Sequence, residues 1–156
     1  MRYLLSLSLL LCVWVAPSNT SSCIAQEKPS NKLYLIQKIY IGDMGNSDEA
    51  ARFRLLIDDT LSKKGFKVVE KAEDADATLK GILSFQAVQG STTALASVQL
   101  RATDGERLWS GSFQKRFWHQ NADTKDSIKA RAEEVADVLR NDWKKSAKAA
   151  GMKIEK

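Results

Sequence analysis

Between Leu33 and Ala149 the spacing of apolar positions changes several times, and each change marks an element. Leu33 to Ile41 (LYLIQKIYI) carries bulky residues on both faces: Leu33, Leu35, Ile39 and Ile41 on one, Tyr34, Ile36 and Tyr40 on the other. A short run this rich in β-branched and aromatic residues predicts a strand in the interior of a sheet. Gly42 to Asn46 forms a loop, and Ser47 is a candidate N-cap with Asp48 and Glu49 where the helix dipole favours anions. From there to Lys64 the period is helical, with Ala50, Phe53, Leu56, Ile57 and Leu61 in one stripe. The pairs Asp48/Arg52, Arg54/Asp58 and Asp59/Lys63 fall at i,i+4 on the outer face. Gly65 closes the helix, and Phe66 to Val69 gives a second short strand. Strand, helix, strand in this order predicts a parallel pair joined by a right-handed crossover.

An acidic, alanine-rich link, Glu70 to Asp76, leads into three strands of period two. Thr78–Val88 sets Leu79, Gly81, Leu83, Phe85 and Ala87 on one face. Thr93–Thr103 alternates Ala94, Ala96, Val98, Leu100 and Ala102 with Ser97, Gln99, Arg101 and Thr103. Arg107–Trp118 groups Trp109, Gly111, Phe113 and Phe117. Gln89-Gly90-Ser91 and Asp104-Gly105 are turn signals, so the three strands form an antiparallel meander with one wet face. A last helix, capped by Asp123 or Thr124, runs to about Ala149 with Ile128, Ala132, Val135, Ala136, Leu139 and Trp143 as its apolar stripe. The order β-α-β-β-β-α predicts an α+β two-layer sandwich: a mixed sheet with both helices on one face.

Upstream of this unit the pattern has a different meaning. Arg2 precedes 14 apolar-dominated residues, Tyr3 to Ala16, then Pro17 and the polar run Ser18 to Ser22. A helix of that length spans about 21 Å, less than a hydrocarbon core of ~30 Å, which predicts a secretory signal rather than a spanning anchor. Cys23-Ile24-Ala25 places small residues at the positions required for cleavage before Gln26. Thr20-Ser21-Ser22-Cys23 offers a second site, a degenerate lipobox with Thr20 in the aliphatic position and Cys23 as the lipidated residue. The expected organisation is therefore a signal peptide over 1–25, a short linker over 26–32, one domain over 33–149 and a tail over 150–156. The expected location is the periplasm or the outer membrane, or outside the cell.

Cys12 and Cys23 are the two cysteines of the 156 residues, so the domain holds together by packing and not by disulfides. The net charge is +5, and the signal removes one cation, Arg2. The densest basic run, Lys144-Lys145 with Lys148, lies at the end of a helix, where cations suit the dipole. Without a basic face interleaved with aromatics, nucleic acid is not an expected partner.

Short motifs add a resemblance. Gly65-Phe66-Lys67-Val68-Val69, Ala75-Asp76-Ala77-Thr78-Leu79-Lys80-Gly81, Val98-Gln99-Leu100-Arg101-Ala102-Thr103-Asp104-Gly105 and Leu108-Trp109-Ser110-Gly111, in this topology, resemble a group of bacterial envelope domains. The pattern is similar to the N-terminal domain of the Tol-system propeller protein, to curli-secretion lipoproteins and to the lipoprotein activators of penicillin-binding proteins. The resemblance implies an exported, non-catalytic domain that binds other envelope components. It transfers no catalytic residue.

Candidate chemistry is sparse. His119 is the one histidine and stands in a polar stretch with Gln120 and Asn121, too few ligands for zinc. Asp74 and Asp76 lack the register of a calcium loop. Gly42-Asp43-Met44-Gly45 sits between strand and helix without the Gly-Lys-Ser/Thr ending of a phosphate loop. Ser110 and Ser112 flank Gly111 in a strand, outside any nucleophile-elbow motif. No catalytic residue, metal or cofactor is expected. A hydrolase would need His119 to meet a serine or carboxylate, and a small-ligand or lipid carrier would need a cavity left by Gly81 and the row Ala94, Ala96 and Ala102. The partner-contact candidates are Arg116 and Trp118, an arginine and a tryptophan on the final strand, opposite the apolar set. An edge strand there could also pair with a strand of a partner.

Overall fold

The computed structural model describes residues 25–26, 28–88, 91–117 and 124–152. Its strands are β1 (Ala25–Gln26), β2 (Lys38–Ile41), β3 (Lys67–Val69), β4 (Ala77–Val88), β5 (Ser91–Ala102) and β6 (Arg107–Phe117), and its helices are α1 (Asp48–Lys63) and α2 (Thr124–Ala149). They form one six-stranded sheet in the order β1-β6-β5-β4-β2-β3. β2 lies parallel to both β3 and β4, and the remaining pairs are antiparallel. The sheet is mixed, and both helices pack on one of its faces, as expected.

Local chemistry explains the boundaries. Ser47 caps α1, its Oγ accepting from the Ala50 N–H at 3.1 Å. At the other end Gly65 takes φ +87°, a left-handed value that needs no side chain. The Phe66 N–H then bonds Leu61 O and the Gly65 N–H bonds Ser62 O, both at 3.1 Å, which satisfies the last carbonyls of the helix. Ala50, Phe53, Ile57 and Leu61 are buried against Ile128, Ala132, Val135, Ala136 and Leu139 of α2 and against Leu79, Val98, Leu100, Trp109 and Phe113 of the sheet.

One element differs from its pattern. The strand expected over Leu33–Ile41 begins only at Lys38, and Leu33–Leu35 form a 3₁₀ turn. Leu33 and Ile36, three apart, point inward, while Leu35 is 57 % exposed. Period three replaces period two because α2 docks here. Trp143 Nε1 donates to Ile36 O at 2.9 Å, and the Tyr34 N–H donates to Ser146 Oγ at 3.3 Å. Asp76 Oδ2 then accepts the N–H groups of Gln37 and Lys38 at 2.9 and 2.8 Å, fixing where β2 starts.

The stretch before the domain is also docked. Ala25 pairs with Ser112 and Gln26 with Gly111. The Ser30 N–H donates to Leu108 O at 2.8 Å, and Lys32 Nζ reaches Glu106 Oε2 at 2.5 Å. Gln26 and residues 28–32 thus lie along the edge of the sheet at β6 and the β5–β6 turn.

Candidate functional site: the open face of the sheet

The two faces of β4, β5 and β6 are read directly from the register. Leu79, Leu100 and Trp109 align across the strands on the helix side, as do Leu83, Ala96 and Phe113. Between these rows lies Gly81–Val98–Gly111. A Cβ on Gly81 would stand 2.6 Å from Ser97 O and from Val98 Cγ1, and one on Gly111 would stand 2.6 Å from the Phe113 ring. The glycines therefore make space that neighbouring groups already fill. Ala94 and Ala96 are fully buried beside them. The space that the sequence left for a small apolar ligand is thus occupied by Val98 and Phe113.

The helix-side rows are locked to α2 by a polar contact. Trp109 is 1 % exposed, and its Nε1 donates to Oδ2 of the buried Asp142 at 3.1 Å. Lys145 Nζ approaches the other oxygen, Oδ1, at 3.0 Å. A buried indole N–H and a buried carboxylate satisfy each other, and a cation at the surface balances the charge. On the same helix Arg131 is buried and paired with Glu134. Burial pushes its guanidinium pKa down, and the carboxylate of Glu134 opposes that shift.

Among the described residues no helix packs on the opposite face. Its rows are Lys80–Gln99–Ser110, Ile82–Ser97–Ser112 and Ser84–Leu95–Gln114. The first two of these rows line a broad, shallow groove of about 630 Å³ whose wall includes Lys80, Ile82, Ser97, Gln99, Ser112 and Asp43. Asp43 arrives from the loop after β2, where its carbonyl accepts the Gly81 N–H at 2.9 Å. Ile82 is 65 % exposed at the centre of this polar surface. Ser97 Oγ and Ser112 Oγ bond each other at 3.3 Å. The groove thus sets serine and glutamine side chains, one cation and one carboxylate around an exposed apolar side chain, a mixture suited to contact with another surface. A signal for it existed in the sequence: Thr78, Lys80, Ile82 and Ser84 alternate on β4, and Ile82 is the apolar member of that row.

A second groove of about 740 Å³ runs between α1 and the ends of β2 and β3. It mixes Arg54, Asp58 and Glu70 with Leu55 and Val68. Neither groove opens at the Ala94/Ala96 row, where the alternative reading of a small-ligand carrier places its cavity.

Of the residues singled out from sequence, Arg116 lies in β6 with its backbone paired to Thr93. Its position belongs to the even-numbered register of Ser110, Ser112 and Gln114. Trp118, His119 and Cys23 lie outside the described residues. Asp76 is explained as the acceptor at the start of β2. Among the described residues no group of three or more His, Cys, Asp or Glu side chains could hold a metal ion, and no helix is long and apolar enough to cross a membrane.

The architecture defines an α+β module with one packed and one open sheet face. No protein-family model matches the chain, and no curated protein is similar to it in sequence. Solved structures are similar in fold. The PelC dodecamer from Paraburkholderia phytofirmans superposes with a TM-score of 0.59 at 13 % identity, covering 77 % of this chain and 98 % of that one. Lipoprotein GNA1162 from Neisseria meningitidis gives 0.46 at 18 % identity, over 67 % of this chain and 97 % of that one. A DUF4136 family protein from Bacteroides thetaiotaomicron gives 0.38 at 8 % identity, over 83 % of this chain and 96 % of that one. At these identities the PelC likeness establishes a shared fold.

Proposed function

We propose that this chain is an exported, non-catalytic module of the bacterial cell envelope that works by binding other envelope proteins. The observation that carries it is the uncovered sheet face. Among the described residues the helices lie on one side of the sheet only, and an exposed isoleucine stands in a groove on the other, which supports a surface that works by contact. The short apolar N-terminal run supports export, with either cleavage after Ala25 or lipidation of Cys23.

The contact surface runs from Ile82 across Ser97 and Ser112 to the β6 edge. Arg116 and Trp118, two apart in the sequence, are its proposed anchors, since arginine and tryptophan dominate many interfaces. PelC, with this fold, is a dodecamer, so a second copy of the chain is the first partner to look for.

The test is affinity isolation from a native envelope, comparing the unaltered chain with an Arg116→Ala/Trp118→Ala double variant. Loss of two anchors is expected to lower partner recovery at least about tenfold, a difference of about 1.4 kcal/mol or more. Equal recovery would contradict the proposal. So would turnover of a substrate by the purified chain that His119→Ala abolishes.

A further inference from the structure

The end of the molecule where α2 meets the turn Leu33–Leu35 combines apolar, aromatic and cationic side chains. Leu35 is exposed there, and Tyr34 beside it is partly exposed. Trp143 is only partly buried, although its indole N–H is already given to Ile36 O. Phe66 meets its ring edge-on, and the Arg140 guanidinium lies 4.4 Å from its centroid. The ring is thus held in place with an apolar edge left at the surface.

Cations surround this cluster. Arg140, Lys144 and Lys148 follow one another at i,i+4 on α2, and both lysines are exposed. Lys67, next to Phe66, is exposed as well. None of these four belongs to an ion pair among the described residues. The carboxylates on the same turns of α2 are engaged, Asp137 with Lys64 and Asp142 with Trp109 and Lys145. The unpaired charge of this end is therefore positive.

We infer that this end of the protein docks on an anionic lipid bilayer, whether or not Cys23 carries a lipid. Leu35 enters the interface, Tyr34 and Trp143 lie at headgroup level, and Arg140, Lys144, Lys148 and Lys67 stand over the phosphates. The charge selects the bilayer over an acidic protein surface. Lysine is depleted from protein interfaces, where its strongly hydrated ammonium loses water. At a bilayer the ammonium stays wet while its stem covers apolar surface. Each cation near an anionic leaflet raises affinity by about fivefold. A single exposed leucine binds weakly by itself, so the cations and the aromatic pair carry the contact together. This surface belongs to the helix layer, so docking leaves the groove around Ile82 accessible. The inference therefore goes beyond the binding of envelope proteins through that groove.

The test uses the full chain with Cys23→Ser, exported by the cell so that no acyl chain contributes. The probes are vesicles of phosphatidylcholine alone and of phosphatidylcholine with about one-third phosphatidylglycerol. Co-sedimentation is expected to be at least about tenfold stronger on the anionic vesicles. Lys144→Glu/Lys148→Glu should lower that binding at least about tenfold, and Leu35→Ser should lower it roughly fivefold. A Lys80→Glu/Lys129→Glu control changes the net charge equally at other places and should stay within about twofold of the unaltered chain. Equal affinity for the two kinds of vesicle, or an equal loss with the control pair, overturns the inference.

Salt provides a readout that needs no further substitution, so a misfolded variant does not decide the matter. Binding to the anionic vesicles should fall about tenfold between low and high ionic strength. Salt-independent binding overturns the inference. So does capture of an acidic protein through Lys144 and Lys148 by a chain that ignores the vesicles. The Arg116→Ala/Trp118→Ala variant is expected to keep its vesicle binding. Loss of that binding would move the lipid contact to the open face and overturn the assignment, whereas failure of partner isolation alone leaves it standing.

Discussion

The two faces of β4, β5 and β6 are built from the same strands and obey opposite rules. On the helix side every position is constrained by volume: Gly81 and Gly111 are small because Val98 and Phe113 fill the adjoining space. On the other side Lys80, Ile82, Ser97 and Gln99 answer to solvent and to whatever binds there. The difference separates two kinds of information. Substitutions on the packed face report how the chain folds, whereas substitutions on the open face test the proposed contact.

The largest expected effect lies on the packed face. Trp109→Ala removes a fully buried indole and leaves Asp142 without its N–H donor, so denaturant unfolding should show a loss of about 3–5 kcal/mol. Gly81→Ala comes next. Its new methyl would meet the Ser97 carbonyl and Val98, and overpacking should cost about 1–3 kcal/mol by the same measurement. Asp76→Ala releases the Gln37 and Lys38 N–H groups and should cost about 1–2 kcal/mol, with faster amide exchange confined to the start of β2.

The open face should respond differently. Ile82→Ser is expected to change stability by no more than about 0.5 kcal/mol while lowering partner recovery. A loss of several kcal/mol there would show that the face is structural and would dissolve the contrast. The smallest effect concerns the docked N-terminal stretch. Glu106 raises the Lys32 pKa, first through its hydrogen bond and then through its charge. A raised cation pKa means that the contribution is complete below the ordinary value of 10.5 and is lost as pH climbs through the higher folded value. Proteolysis near residues 28–32 should therefore accelerate only at strongly alkaline pH, and Glu106→Gln should remove that pH dependence.

Most of the fold was legible because it is local. Ser47, Gly65 and Asp104-Gly105 act on residues within a few positions, and the stripe of α1 and the alternation of β5 need no distant partner. What was not legible depends on groups far apart in the chain. The turn at Leu33–Leu35 forms because Trp143, 107 residues later, takes the Ile36 carbonyl. β2 starts at Lys38 because Asp76 accepts its N–H. The pairing of Ala25 and Gln26 with β6 carries no local signal at all. For the candidate site, Arg116 was assigned to the right strand, but Ile82 went unnoticed because one apolar residue in a wet row becomes meaningful only once the face proves uncovered.

The central claim is that this protein acts through its open face and the adjoining edge. A photo-crosslinking residue placed at Gln114, on that rim, and separately at Glu133, on the exposed side of α2, tests it most directly in the native envelope. The account predicts a discrete adduct with an envelope protein or a second copy at Gln114, lost with Ile82→Ser, and none at Glu133. Adducts of equal yield at both positions, or at Glu133 alone, would contradict it.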